Sequence, residues 1–258
     1  MDHHPLLAHK ITGDGSPIVL VHGFPLDARM WEPQIAALSR RHQVLTLDLA
    51  GFGQTQTATP PTHLEDHAFD IAHLLDHLHL DRVTLVGLSM GGYVALCFAE
   101  RYAHRLSSLV LANTKATPDT PEAKQKRDEH VALVEQKGVS ALAKALLPNL
   151  LSKAAPEKLR EHVVSIMSAQ PVEATTRALE AMRDRRDTTH VLHDLTVPLL
   201  LIGSEGDTLM PPEITKAMKQ AQPDAELVII AGAGHLSNLE APDAFNRAIG
   251  AFVDASAH

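Results

Sequence analysis

Short apolar runs that alternate with helix-period stretches constrain the fold of this chain more than any other feature. Continuous apolar runs rich in β-branched residues suit strands that are buried on both faces. Such runs lie at residues 17–21, 43–47, 82–86, 107–111, 197–202 and 226–230. Stretches with helical periodicity lie among them, at residues 64–80, 91–102, 212–220 and 242–253. The alternation predicts an α/β fold with a mostly parallel sheet between two layers of helices. Residues 6–11 are a candidate antiparallel edge strand.

The alternation stops between about residues 115 and 189, where no convincing strand occurs. Helix breakers divide this segment into about four helices; they are Pro118, Pro121, Gly138, Pro148, Pro156 and Pro171. Open α/β sheets bind ligands at the carboxyl ends of their strands, which an amphipathic helical insertion could cover. We therefore expect a single domain whose core comprises residues 1–114 and 190–258 and whose helical lid comprises about 115–189. The alternative is a second small helical domain.

The composition is that of an ordinary globular protein and excludes several partner classes. Apolar residues make up 45% of the 258 residues and charged residues 21%, and the formal net charge is −8. Nucleic acids and anionic membranes are bound through clustered Lys and Arg, so neither is expected as a partner. Cys97 is the single cysteine, and residues 1–5 lack the start of a secretory signal. The sequence predicts a cytoplasmic protein, and it leaves the oligomeric state open.

The strongest chemical signal is a G-x-S-x-G motif at residues 87–91, centred on Ser89. It directly follows one apolar run and opens a helix-period stretch, which is the context that a nucleophile elbow requires. A serine on so sharp a turn needs small residues two positions before and after it, and both are glycine. The helix N-terminus would also stabilise developing negative charge. The motif predicts Ser89 as a nucleophile, the alternative being a Gly-rich turn without chemistry.

A serine nucleophile needs a base, and the base needs a third group that fixes its tautomer. Asp207 and His235 each follow a later apolar run, so both are predicted at strand ends, in the order Ser, Asp, His. Glu205 lies two residues before Asp207 and could also reach an imidazole. We favour Asp207 because Gly206 permits a sharp turn and the shorter side chain loses less conformational freedom.

Acyl transfer also requires hydrogen-bond donors for the tetrahedral oxyanion. The backbone N–H of Met90 follows the nucleophile, and the loop after the run at 17–21 offers the N–H of Phe24. We expect no cofactor and no metal. Four histidines at positions 63, 67, 73 and 77 fall at or near helical spacing, but no carboxylate or cysteine accompanies them at a distinctive spacing, so we interpret them as a solvated helix face.

These segments together resemble the α/β-hydrolase superfamily along nearly the whole chain. The resemblance rests on HGFP at 22–25, DLAGFG at 48–53, GLSMGG at 87–92, Asp207, and GH at 234–235. It implies the α/β-hydrolase fold and assigns the triad roles to Ser89, Asp207 and His235. The segments VGLSMGGY at 86–93, ANTK at 112–115 and GHLSNLE at 234–240 are similar to the group that includes 3-oxoadipate enol-lactonases and related carboxylesterases.

The resulting hypothesis is hydrolysis of a small-molecule carboxylic ester or lactone through an acyl-enzyme on Ser89. Two alternatives stay open: a cofactor-free perhydrolase, formerly called a non-haem haloperoxidase, and a receptor that keeps the fold but senses a ligand. A haloalkane dehalogenase is disfavoured, because those enzymes use a carboxylate at the position where this chain has Ser89. If the substrate carries a free carboxylate, candidate lid cations are Lys115, Arg177 and Arg183, and Leu146 and Leu150 are candidates for shaping the pocket.

Overall fold

A computed structural model describes residues 6–57 and 59–256. The expectation about a signal at residues 1–5 therefore lies outside the described residues. Within the described ranges no helix has the length and apolar character needed to span a bilayer. The strands are β1 (His9–Thr12), β2 (Pro17–Val21), β3 (Gln43–Leu47), β4 (Val83–Leu88), β5 (Leu106–Ala112), β6 (Leu199–Ser204) and β7 (Glu226–Ile230).

Helices separate most of these strands in chain order, with five of them between β5 and β6. They are α1 (Glu32–Leu38), α2 (Leu64–His77), α3 (Met90–Tyr102), α4 (Pro121–Lys137), α5 (Val139–Leu150), α6 (Glu157–Ser168), α7 (Val172–Asp184), α8 (Thr189–Asp194), α9 (Pro212–Ala221), α10 (Ser237–Glu240) and α11 (Pro242–Ser256). A short 3₁₀ helix, Ala28–Trp31, precedes α1, and another, Ala103–Arg105, precedes β5. The helical periodicity of the sequence did not predict α1, α8 and α10, which are only 7, 6 and 4 residues long.

The described strands form one seven-stranded sheet in the order β1-β3-β2-β4-β5-β6-β7. Only β1 runs antiparallel to its neighbour; the other neighbouring pairs are parallel. The predicted α/β-hydrolase fold is confirmed, including the antiparallel edge strand, which begins and ends slightly later than the candidate range. Because neighbouring parallel strands end at the same edge, the loops after β2, β4, β5, β6 and β7 converge there.

Alternate residues of the central strands are buried in opposite helical layers. Val19, Leu85 and Leu109 belong to the apolar cluster that includes α2 and α3. Ile18 and Val86 belong to the cluster that includes α1 and α11. Burial of both strand faces explains why the sequence shows continuous apolar runs instead of alternation, and each fully buried Leu, Ile or Val contributes about 1.5–3 kcal/mol.

The stretch between β5 and β6 forms the helices α4 to α7, followed by the short α8. Helix α4 packs against α7, and α5 packs against α6. Gly138 ends α4, and Pro156 and Pro171 stand at the start of α6 and α7, as predicted. The expectation for Pro148 is wrong, because α5 continues past it to Leu150. The division of the chain into core and lid stays a prediction.

Two side chains attach this helical segment to the loops at the carboxyl edge of the sheet. The Gln170 amide donates to Asp27 Oδ2 at 2.8 Å and accepts from the Gly53 N–H at 3.0 Å. The Glu240 carboxylate accepts from the N–H groups of Ser152 and Gly234. Gln170 links the turn between α6 and α7 to the loops after β2 and β3. Glu240 links the turn between α5 and α6 to the loop after β7. These bonds fix α5 to α7 over the sheet edge.

Candidate active site

Ser89 occupies a strained turn between β4 and α3. Its backbone has φ +55° and ψ −114°, a conformation that non-glycine residues rarely adopt. A Cβ atom on Gly87 would lie 2.2 Å from the Gly91 carbonyl oxygen, so no larger residue fits there. The Ser89 N–H donates to the Ala112 carbonyl at 3.0 Å, which ties the turn to the end of β5. The crowding expected from the G-x-S-x-G motif is therefore present in the fold.

His235 and Asp207 lie beside Ser89, on the loops after β7 and β6. The Ser89 hydroxyl lies 2.8 Å from His235 Nε2, and His235 Nδ1 lies 2.8 Å from Asp207 Oδ2. Both residues are buried, at 2% and 3% exposure. A carboxylate can only accept, so the imidazole carries its proton on Nδ1 and presents a free lone pair on Nε2 to the serine.

The environment of Asp207 keeps this carboxylate ionised. Burial alone would raise the pKa of Asp207, but the opposing charge and hydrogen bond of His235, with donors from Met210 and Asn113, hold the pKa below its usual value. Glu205 differs in its surroundings: its side chain is exposed, and its Oε2 accepts from the Gly232 N–H at 3.2 Å. Of these two acids, the structure places only Asp207 against His235.

Two backbone N–H groups stand next to Ser89 without a partner among the described residues. They belong to Phe24 and to Met90, the first residue of α3. The Phe24 loop is packed directly onto the serine, since a Cβ on Gly23 would lie 3.5 Å from Ser89 Cβ. Both N–H groups that were predicted as oxyanion donors are therefore near Ser89 and have no protein partner among the described residues.

His22 holds the loop that carries Phe24. Its Nε2 accepts from the Leu49 N–H at 3.0 Å, and its Nδ1 donates to the Gly23 carbonyl at 3.0 Å. Complete burial lowers the pKa of His22, so the ring stays neutral and keeps this one tautomer. The loop after β2 is thereby bonded to the segment after β3.

A cavity of about 220 Å³ opens beside Ser89 and His235. Most of its wall is apolar, formed by residues that include Phe24, Leu146, Leu150, Met182 and Met210. One side of the wall carries the charged residues Lys115, Asp119, Lys126 and Arg127, from the segment after β5 and from α4, together with His130, whose pKa burial lowers. The cavity can therefore hold an apolar chain that ends near basic groups.

The basic wall is organised around one carboxylate. Asp119 contacts Lys115 Nζ at 3.1 Å, Arg127 Nε at 3.1 Å and Arg185 Nη2 at 2.9 Å. Burial would raise the pKa of Asp119, yet these cations hold it far below its usual range. Burial, and then the charge of Arg185, lower the pKa of Lys115. Three cations surround a single anion, so the cluster carries an excess of positive charge.

The comparison with known families agrees with this geometry. A family model described as alpha/beta hydrolase fold matches residues 16–242, which is most of the chain. The chain belongs to the α/β-hydrolase family.

Relatives of this α/β hydrolase include proteins with several named activities. A thermophilic esterase from Thermogutta terrifontis, solved with malate bound, is 37% identical, with a TM-score of 0.93 over 97% of this chain and 93% of its own. The enol-lactonase from Burkholderia xenovorans LB400 is 29% identical, with a TM-score of 0.89 over 96% of each chain. A putative carbamate hydrolase RutD from Caulobacter sp. (strain K31) is 29% identical over 97% of each chain.

Two of the three candidate cations lie outside the cavity wall of this α/β hydrolase. Arg183 lies outside the cavity wall, where it pairs with Asp128 and Asp184 at the surface. Arg177 is also outside the wall and pairs with Glu180. Both belong to α7, of which only Met182 lines the cavity. Of the three candidate cations, only Lys115 lines it.

The interpretation of four histidines as a solvated helix face is wrong for His67. This residue is only 1% exposed, and burial together with the neighbouring His22 lowers its pKa to about 3. The sequence carries a signal for this, because His67 lies three residues after Leu64 and four before Ile71, on the apolar stripe of α2. His63, His73 and His77 are exposed. Within the described residues no group of three or more His, Cys, Asp or Glu is arranged to hold a metal ion.

Sequence reasoning missed two parts of the site. Asn113 contacts Asp207, and it directly follows β5, so the strand-end rule that selected Asp207 and His235 also applies to it. The Asp119 cluster has no comparable signal. Only Lys115 was a candidate cation. Arg127 and Arg185 come from separate segments, and nothing in their spacing distinguishes them from surface charges.

Proposed function

We propose that this α/β hydrolase cleaves carboxylic esters or lactones through an acyl-enzyme on Ser89, without a cofactor. The observation that carries the proposal is the unbroken series of hydrogen bonds from the Ser89 hydroxyl through His235 to Asp207. Relatives named as an esterase and an enol-lactonase support the same class of reaction. A carbamate is also cleaved at a carbonyl carbon, and the same geometry serves it.

Acylation begins when the Ser89 oxygen attacks the substrate carbonyl and His235 Nε2 takes the hydroxyl proton. The carbonyl oxygen becomes an oxyanion and accepts from the N–H groups of Phe24 and Met90. Collapse of this intermediate breaks the ester bond, and His235 returns the proton to the leaving alcohol. Asp207 stays ionised and stabilises the imidazolium that forms in between.

Deacylation repeats these chemical steps with water as the nucleophile. Water gives a proton to His235 Nε2 as it attacks the acyl carbon, and the proton then passes to the Ser89 oxygen as the acid leaves. A lactone differs only in that its alcohol stays attached to the acyl group. Cys97 is not a competing nucleophile, because burial raises the pKa of its thiol to about 12.

An organophosphonate ester tests this mechanism, because it reacts with an activated serine and forms a stable adduct. We expect one adduct per chain, on Ser89, by intact mass and peptide mapping. Steady-state turnover of p-nitrophenyl acetate should follow an initial burst. Ser89→Ala should abolish the adduct and the burst. Its turnover should fall close to background, because sites that lack a triad residue accelerate the reaction only about 10³–10⁴-fold over water.

Ser140→Ala is the matched control, since Ser140 is an exposed serine on α5. It should keep full labelling and turnover. An adduct elsewhere, or full esterase activity in Ser89→Ala, would refute the proposal. Labelling of Ser89 with less than one turnover per chain would favour the receptor alternative instead.

A further inference from the structure

Asn113 occupies a fully buried position at the point where β5 ends beside β6. Its backbone has φ +46°, a left-handed conformation that asparagine tolerates better than most residues. Its N–H donates to the Ile202 carbonyl of β6 at 2.8 Å. The side chain therefore projects from a fixed backbone, and it is not part of the cavity wall.

The Asn113 amide makes three side-chain hydrogen bonds around the loop that carries His235. Its Nδ2 donates to Asp207 Oδ2 at 2.9 Å and to Ser204 Oγ at 2.6 Å. Its Oδ1 accepts from Ser237 Oγ at 2.6 Å. Each donor meets an acceptor, so only one orientation of the amide satisfies all three bonds.

This amide reaches the histidine loop on both sides of His235. Ser237 follows the histidine by two residues and donates to the amide directly. Ser204, which accepts from the amide, donates to the carbonyl of Gly234 at 2.6 Å. The acid and the loop that presents the base are thus bonded to the same side chain.

The bond to Asp207 completes the coordination of that carboxylate. Oδ2 accepts from His235 and Asn113, while Oδ1 accepts from the backbone N–H groups of Leu209 and Met210. Two donors on each oxygen match the lone pairs of a carboxylate. Without Asn113, Oδ2 would keep the imidazole as its only donor, and the carboxylate would be held by that bond and the two N–H groups at Oδ1.

We propose that Asn113 is a positioning residue for the Ser89–His235–Asp207 site, holding acid and base at their reactive separation. The inference rests on the proposed function and deepens it. Asn113 touches neither the substrate cavity nor the reacting atoms, so its effect is on the rate of proton transfer and not on binding. Hydrogen bonds to charged groups are among the stronger ones in proteins.

Asn113→Gly is the direct test, because glycine accepts the left-handed backbone while removing the amide. Active sites are counted by phosphonate titration, and p-nitrophenyl acetate turnover is expressed per titrated site. We expect kcat per site to fall about tenfold to hundredfold, with KM nearly unchanged. The downfield ¹H NMR signal of the proton on His235 Nδ1 should shift or broaden, because its acceptor is no longer fixed.

Ser108→Ala is the matched control, since Ser108 lies on β5, the strand that ends just before Asn113, and the change also removes a buried side-chain hydrogen bond, that to Thr84 at 2.8 Å. It should lower stability and leave kcat per site and the NMR signal unchanged. If Asn113→Gly does not fold, Asn113→Asp decides, because it keeps the side-chain volume but replaces the donor with a second carboxylate. We expect its loss in kcat to be at least as large.

Normal kcat per titrated site in the folded Asn113 variants would overturn the inference, even if the number of titrated sites fell. That result would give Asn113 a purely structural role. Failure of the proposed function has a different signature: the wild-type chain would then form no adduct on Ser89 and would not turn over the ester.

Discussion

At the scale of single residues, the site depends on which atom of His235 carries a proton. Asp207 is held as an anion and can only accept, so it fixes the proton on Nδ1 and leaves Nε2 free for the Ser89 hydroxyl. The strained backbone of Ser89 aims that hydroxyl at Nε2. Geometry and protonation are therefore set by the same few contacts, and a change of one atom is enough to disturb them.

Asp207→Asn should lower kcat by about 10⁴-fold, the size known for this substitution in a serine protease triad. The amide would donate to His235 Nδ1, placing the imidazole proton on Nε2, where it blocks deprotonation of the serine. Glu205→Gln should change kcat little, because Glu205 is exposed and contacts Gly232. Both variants would be measured on one ester, with circular dichroism to check the fold. A large loss in Glu205→Gln with a near-normal Asp207→Asn would reverse the assignment.

At the scale of secondary-structure elements, the helices over the cavity differ in how they are held. Helix α5 is amphipathic and buries Val139, Leu142, Ala143 and Leu150, and the Leu150 carbonyl accepts from the Leu236 N–H of the histidine loop. Helix α4 buries Val134 fully and packs Val131 and Leu133 against the core in part, and its Arg127 and Asp128 form ion pairs. Helix α5 is therefore a fixed apolar wall, whereas α4 supplies the charged wall.

Substitution of Leu146 on α5 should change the preferred acyl-chain length. Leu146 lines the cavity, so Leu146→Ala leaves space that a longer chain can fill, at about 0.8 kcal/mol or fourfold in kcat/KM per methylene. The comparison uses p-nitrophenyl esters of increasing length, with acetate turnover expected to change little.

Leu147→Ala is the control for this prediction. Leu147 is the next residue of the same helix, but it packs against the core instead of lining the cavity. It should cost stability without altering chain-length preference. The same shift in both variants, or none in either, would count against a role of α5 in substrate selection.

Element prediction from sequence succeeded where burial leaves a simple pattern. The runs at 17–21 and 43–47 coincide with β2 and β3, which are buried at all but their first residue. The run at 226–230 coincides with the edge strand β7, which is partly exposed but keeps enough apolar residues to be recognised. Element prediction failed at Pro148, because α5 continues past this proline to Leu150 although the ring removes one helical N–H donor. The Asp119 cluster was out of reach, since its contacts depend on how α4 and α7 pack.

At the scale of the whole molecule, the charge distribution is uneven. The chain carries a formal net charge of −8, yet the charged side of the cavity has several cations and one carboxylate, Asp119. A local excess of positive charge within an acidic protein favours a substrate that carries its own anionic group away from the ester.

Lys115→Gln should reduce kcat/KM for a carboxylate-bearing ester about tenfold more than for its neutral methyl ester. The physical reason is the loss of a cation that is largely buried, at 14% side-chain exposure, in the cavity wall. Arg183→Gln removes an equal charge outside the cavity and should leave the ratio of the two substrates unchanged. Equal losses on both esters in Lys115→Gln would exclude carboxylate recognition by this residue.

The order of the strands in the sheet also governs how the protein acquires its site during folding. Phe24, Ser89, Asn113, Asp207 and His235 follow five different strands, and His235 lies on a loop near the end of the chain, after β7 has paired with β6. Contacts between residues so distant in sequence form late, because long loops must close first. We therefore expect a refolding chain to regain local helices before it has a base beside its serine. Recovery of activity would report completion of the whole sheet.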